Sequence, residues 1–263
     1  MNELFQRFLK KKPMSEPPQA DWEYTQDAKR YAEQQRAKQQ LHPADGQQGA
    51  EVQEILFKGR HIIGRDTPIN KGVYFVGGVD EATVVDDEKD RHLLLIYHQL
   101  LNWMRETQNQ GSKYKTGILK KVWALAMKTI PYKEARTDQI VNKVGIDRKI
   151  YLSAFFGGGV CRHQALLAGY LLEKLINDGY LQGKVSVDRN SLPGKNGHAW
   201  VRYTNSRGIV FILDPTNKYK DRLENASNKK PWRYERPSDR IHRKSPHIKL
   251  TTRIRQLFLA QPS

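Results

Sequence analysis

Residues 197–216, GHAWVRYTNSRGIVFILDPT, decide how this chain is read. Two runs of β-branched and aromatic residues flank Asn205, Ser206, Arg207 and Gly208, which is the pattern of a β-hairpin. Centring the turn on Ser206, with a three-residue loop over 205–207, sets His198 directly opposite Asp214. Opposed side chains have Cβ atoms about 4.5–5.5 Å apart, close enough for an imidazole–carboxylate hydrogen bond. A register change of one residue would put the two on opposite faces. The alternate face carries Ala199, Val201 and Tyr203 against Leu213, Phe211 and Ile209, and is expected to be core. Trp200 and Ile212 flank the His–Asp pair and would desolvate it.

Upstream, residues 157–179 read GGGVCRHQALLAGYLLEKLINDG. Ala165, Leu166, Ala168, Leu172, Leu175 and Ile176 make an apolar helical stripe, and Gly179 supplies its stop. Cys161 therefore opens a helix. There it meets unpaired backbone N–H groups and the positive end of the helix dipole, a setting that lowers a cysteine pKa from ~8.5 to about 3.5–7.5. The preceding glycines let the chain approach closely, and the first amides of the helix are natural donors to an oxyanion. Taken singly, a lone cysteine is a buried core thiol, His198 a satisfied core histidine and Asp214 a turn residue before Pro215. Their pairing downstream of a helix-opening cysteine points to Cys161 as nucleophile, His198 as general base and Asp214 as its orienter.

Working outward, 184–187 reads as a further strand, and Gly72–Val76 and 54–63 as short strands. Arg91–Thr107 is apolar on most faces and should be a buried helix; 116–130 repeats apolar residues three and four apart and stops at Pro131. Residues 15–50 are rich in Gln, Ala, Pro and charge, too poor in aliphatics to offset chain entropy, and carry at most one solvated helix over 25–41. Ahead of them Leu4, Phe5, Phe8 and Leu9 fall at helical spacing. The expected organisation is a polar leader over 1–50, a catalytic domain over 51–217 and a basic extension over 218–263.

One cysteine in 263 residues excludes an intrachain disulfide and any site built on several thiolates. No stretch approaches a membrane span and residues 1–13 hold no signal-peptide run, so the expected location is the cytoplasm or export by a dedicated secretion system. The net charge of +17 is concentrated at the end: residues 218–263 hold thirteen Lys and Arg against four Asp and Glu, a net +9. That segment suits an acidic partner, an anionic surface or nucleic acid, with Trp232 and Tyr234 available for stacking; a solvated, solubilising extension accounts for it equally.

Gly-Val-Cys161 opening a helix, Gly-His198-Ala-Trp, and Leu-Asp214-Pro-Thr, in that order, resemble the core of the transglutaminase-like superfamily. Ile130-Pro131-Tyr132 looks like the short motif that precedes the cysteine helix in such domains, and the resemblance covers residues 115–217. It implies an α+β, papain-like architecture in which N-terminal helices and the nucleophile-bearing helix pack on an antiparallel sheet carrying His and Asp. It also implies thioester chemistry on protein or peptide amides without metal or cofactor: transglutaminase, deamidase or thiol protease. Arg162, His163 and Gln164 depart from the acidic or small residues usual after the cysteine. Arg162 could favour the thiolate or bind an acidic substrate group, or simply face solvent. Gln164, Trp200, Trp123 and His163 are candidates for a second oxyanion donor or a supporting role, and spacing singles out none. The alternative is a catalytically silent binding module on the same fold. In context, a bacterial effector and a housekeeping protease fit the sequence equally.

Overall fold

A computed structural model of the chain describes residues 56–57, 59–76, 81–107, 113–144, 149–190, 197–226, 234–236 and 239. The leader, with its expected helix over 25–41 and its stripe at Leu4, Phe5, Phe8 and Leu9, lies outside the described residues, as do Trp232 and everything from 240 onward. The described residues form four α-helices and three sheets in an α+β arrangement.

Strands β1 (Leu56–Phe57) and β2 (Arg60–His61) form a small hairpin. Strands β3 (Gly72–Val76) and β4 (Glu81–Val85) pair antiparallel, and β4 takes β5 (Ile150–Tyr151) as a parallel neighbour. Between them run α1 (Arg91–Thr107), α2 (Lys113–Thr129) and α3 (Glu134–Val144). Helix α4 (Cys161–Asn177) follows, and then an antiparallel meander of β6 (Gly183–Asn190), β7 (His198–Asn205), β8 (Val210–Asp214) and β9 (Tyr219–Arg222).

The helices follow from apolar spacing. Helix α1 buries Leu93, Ile96, Tyr97, Leu100 and Met104, steps of three and four that line one face. Helix α4 is buried on nearly every face, from His163 to Leu172 without a break. Such a helix needs partners all round: β6 and β7 lie on one side and α2 on another. Its Gly169 permits that closeness, since a Cβ there would fall 2.8 Å from Ile69 Cδ1 and 3.0 Å from Val187 Cγ2. Helix α3 and strands β4, β5 and β9 were not foreseen; α3 buries only Thr137 and Val141, too little to show as a stripe.

The hairpin corrects the expected register. Val201 pairs with Leu213, Arg202 with Ile212, Tyr203 with Phe211 and Thr204 with Val210, so the turn centres on Arg207 rather than Ser206. The cause is local. Gly208 takes a left-handed conformation (φ 75°), and its N–H bonds Asn205 O at 2.9 Å. The Asn205 side chain meanwhile accepts from Arg207 N at 3.0 Å and Ile209 N at 2.9 Å. This is a turn closed by a glycine bulge, with the loop at 206–208. His198 therefore sits one diagonal step from Asp214 instead of opposite it. The displacement is two residues, so both side chains keep the same face. The other face behaves as expected: Ala199, Val201, Tyr203 and Leu213 join the main core against α4.

The sheet does not end at 217. β9 pairs with β8 through Phe211–Arg222 to Asp214–Tyr219. Tyr234 is only 2% exposed, packed among Trp200, Ile212 and Leu223. The first part of the basic extension is thus built into the domain, and Tyr234 is not available to stack on a nucleic-acid base.

Candidate active site

Cys161 is the first residue of α4, and the residue as a whole is half-buried. The turn that delivers it uses Gly157 in a left-handed conformation (φ 81°). Gly159 then runs against the Pro131–Lys133 segment, its N–H donating to Pro131 O at 3.0 Å and its carbonyl accepting from Lys133 N at 2.7 Å. A Cβ on Gly159 would lie 2.6 Å from Ile130 Cγ2, so only glycine lets the two segments approach this closely. The Ile130-Pro131-Tyr132 motif is thereby fixed beside the cysteine. Tyr132, 51% exposed, stands within electrostatic range of Cys161 and Arg162.

Strands β7 and β8 bring the other two groups. His198 Nε2 donates to Asp214 Oδ2 at 2.6 Å, with the two side chains 4% and 0% exposed. The imidazole also hydrogen-bonds Cys161, and the Ala199 backbone N–H donates to the thiol. Cys161, His198 and Asp214 therefore meet as one constellation. Burial alone would push the Cys161 thiol up. The His198 bond, the Ala199 amide and the Arg162 charge together outweigh it and hold the thiol below its ordinary value. Burial alone would push His198 down, but the bonds to Asp214 and Cys161 and the two negative charges raise it to about 9. Burial opposes ionisation of Asp214 as well; bonds from His198 and Asn217 prevail and keep it a carboxylate. The two shifts run in opposite senses and together favour the thiolate–imidazolium form of the pair.

Asp214 is held by residues to which the sequence reading gave no part in the site. Its Oδ2 accepts from Tyr234 Oη at 2.9 Å and from Asn217 Nδ2 at 2.8 Å, and its Oδ1 accepts from Asn217 N at 3.0 Å. Asn217 had a readable signal, since Asp-Pro-Thr-Asn is a turn in which the first carboxylate accepts from an amide further along. Tyr234 had none; it returns twenty positions later to pack edge-on against Trp200 and stack on Tyr219, each at 5.2 Å between ring centres.

A second polar cluster underlies the start of α4. His163 is fully buried and stacked on Phe155, ring centres 3.6 Å apart. Its Nδ1 accepts from Val160 N at 3.0 Å, which puts the proton on Nε2, and that nitrogen donates to Glu81 Oε1 at 2.8 Å. Thr83 Oγ1 donates to the same oxygen at 2.7 Å. Arg162 grips Glu81 with Nε, 2.9 Å from Oε1, and with a second nitrogen on Oε2. Arg162 is thus neither solvent-facing nor free for substrate: Glu81 occupies it. Burial lowers His163 to about 4, and the Glu81 carboxylate does not reverse this. His163 is a neutral imidazole that ties the helix start to β4.

The remaining candidates have other tasks. Gln164 donates from Nε2 to Ile130 O at 2.7 Å and accepts from Thr216 Oγ1 at 2.7 Å, clamping the three motifs together rather than pointing at a reacting oxygen. Trp200 is fully buried beneath the site, its ring 5.9 Å from and tilted against that of His198. Trp123 lies on α2 with Lys220 Nζ 3.8 Å from its ring centre. His163 is closed off as described. The donors suited to an oxyanion are the amides of Cys161 and Arg162, which open the helix without intrahelical acceptors. Among the described residues, no group of three or more His, Cys, Asp or Glu side chains could hold a metal ion. No described helix is long and apolar enough to cross a membrane.

No family model matches the chain, and no curated protein or solved structure is significantly similar to it.

Proposed function

We propose that the protein is a cysteine-dependent acyl-transfer enzyme acting on protein or peptide amides, on a papain-like core of the transglutaminase kind. The observation that supports this most is the Cys161–His198–Asp214 relay at the start of a helix, with the His–Asp bond at 2.6 Å and the thiol bonded to the same imidazole. The Cys161 thiolate attacks the amide carbonyl carbon, forming a C–S bond, and the carbonyl electron pair moves to oxygen beside the helix amides. When the oxyanion collapses, the C–N bond breaks and the His198 imidazolium gives its proton to the departing nitrogen. A thioester and a neutral imidazole remain. His198 then takes a proton from water or an amine as that nucleophile attacks the thioester, and the thiolate leaves. Water yields a carboxylic acid, the outcome of deamidation or proteolysis; an amine yields a new amide. Asp214 stays ionised throughout and keeps the ring in the required orientation.

The test is the rate of iodoacetamide labelling of Cys161 against pH, in the wild type and in His198→Ala. The wild type should label with an apparent pKa well below the ~8.5 of a free thiol, keeping its imidazolium partner up to about pH 9. In His198→Ala the opposing burial should push the thiol above its ordinary value. A wild-type thiol that labels like free cysteine, or one indifferent to His198, would sink the enzymatic reading and favour a silent binding module.

A further inference from the structure

One cation beside this site is not used by the relay. Arg189 lies on β6 directly across from Ala199, the residue whose amide donates to the Cys161 thiol, and the next pair along is Asn190 with His198. From there the Arg189 side chain runs over the chain just ahead of the histidine. A Cβ built on Gly197 would meet Arg189 Nε and a terminal guanidinium nitrogen at 3.0 Å each. The residue is partly exposed, yet its other terminal nitrogen is buried with no hydrogen-bond partner. The two cations nearest the thiol are matched: Arg162 by Glu81 and His198 by Asp214. Among the described residues no carboxylate forms an ion pair with Arg189. A guanidinium carries five donors in a fixed fork suited to a carboxylate, and the partly exposed Arg189 has no carboxylate of its own among the described residues to fill it.

We propose that Arg189 forms a subsite for an acidic side chain of the substrate, so that Cys161 takes its acyl group from amides in chain segments carrying Asp or Glu close to the reacting residue. The inference rests on the acyl-transfer reading and narrows its substrate to acidic segments. Gly197 belongs to the same device: its lack of a side chain leaves the space across which the guanidinium lies. Arg162 does not duplicate it, because Glu81 already fills its fork.

The experiment uses three peptide chloromethyl ketones ending in a reactive glycine and identical except for Glu, Gln or Lys in the residue preceding it. Second-order rates of Cys161 alkylation are measured with the full chain, wild type, Arg189→Met and Arg189→Glu, with iodoacetamide alongside. The wild type should react with the Glu probe about ten- to a hundredfold faster than with the Gln probe, the range of a charge-assisted hydrogen-bonded pair. In Arg189→Met that ratio should fall to about one, and in Arg189→Glu the Lys probe should become the preferred one. Equal wild-type rates for the Glu and Gln probes, or a Glu preference that survives in both variants, would overturn the proposal. So would an equal loss with all probes and iodoacetamide in Arg189→Met, which would make the arginine a support of the thiolate. These results differ from failure of the acyl-transfer reading itself, in which wild-type Cys161 labels with iodoacetamide like a free thiol.

Discussion

Replacing Arg236 by Met should cost far more stability than removing a surface charge. Arg236 binds the Asp188 carboxylate through Nε at 2.7 Å and a terminal nitrogen at 2.5 Å, and the latter also donates to Ser186 Oγ at 2.9 Å. Its other terminal nitrogen meets both Asp66 oxygens, at 3.0 and 2.8 Å. The two acids are not equivalent, since the Asp188 side chain is 0% exposed and that of Asp66 66%. The Asp66 contact is a surface pair, worth at most about 1 kcal/mol. Asp188 is a buried charge, and removing one partner of a buried pair costs roughly 3–5 kcal/mol because the other charge is left uncompensated. Arg65 stands near enough to feel Asp188, and Ser186 Oγ still donates to it at 2.8 Å, so the lower end applies: about 3 kcal/mol. For a domain of this size that is a fall in Tm of roughly 6–12 °C.

Urea unfolding of wild type, Arg236→Met, Asp66→Asn and Asp188→Asn/Arg236→Met would measure it. Asp66→Asn should change stability by less than about 1 kcal/mol. The double variant should recover a good part of the loss, because the orphaned charge is gone even though the packing is not restored. If Arg236→Met lies within about 1 kcal/mol of wild type, Arg236 does not clasp the sheet through Asp188. Equal losses in Arg236→Met and Asp66→Asn would refute the reasoning differently, by showing that burial of Asp188 does not set the magnitude.

Two further outcomes follow from the same polar networks. Tyr234→Phe keeps the buried ring against Trp200 but takes one donor from the Asp214 carboxylate, so denaturant unfolding should show a loss of about 1.5–3 kcal/mol; no measurable loss would mean that the hydroxyl is not bonded there. Acid should destabilise the fold in two stages, readable as Tm between pH 8 and 3. His163 is held to about 4 when folded and titrates near 6.5 when unfolded, so the unfolded chain binds the proton first and stability falls as pH drops from about 6.5 towards 4. Glu81 is lowered on folding, its bonds to Arg162 and His163 outweighing burial; its contribution is present above the unfolded carboxylate value of about 4.3 and is lost as pH falls further. A flat Tm between pH 6.5 and 4.5 would show that His163 is not held neutral.

Some of this was legible and some was not, for definite reasons. Helix α1 was readable to its bounds, but not as the all-round buried helix expected: it buries five residues along one face and leaves Leu95 exposed. The face shared by His198 and Asp214 was readable too, since strand side chains alternate and face depends only on whether a displacement is odd or even. The pairing itself was missed by two positions, because the turn is set by the left-handed Gly208 and the side-chain bonds of Asn205 rather than by symmetry about the loop. Reading Gly208 as a bulge residue would have placed it. Glu81 and Tyr234 were out of reach: each meets its partner through tertiary structure alone, and neither stands in a pattern of its own.

That contrast has a consequence for where the site is vulnerable. The three groups proposed to react lie in the local segments that carry the motifs, but the groups that hold them come from both ends of the folded region. Glu81 on β4 fixes Arg162 and His163, and through them the orientation of the first turn of α4. Ile130 and Thr216 are joined by one side chain, Gln164, so the segment before the helix and the turn after β8 cannot shift independently. Tyr234 closes on Asp214 from beyond the sheet. A piece cut to the motif-bearing span 115–217 would keep Cys161, His198 and Asp214 yet lose Glu81, β9 and Tyr234. It would leave Arg162 without its carboxylate, His163 without its acceptor and Asp214 with one donor fewer, all at buried positions where an unmade bond is most expensive. The part that carries the Cys161–His198–Asp214 constellation is therefore smaller than the part that must fold to hold it.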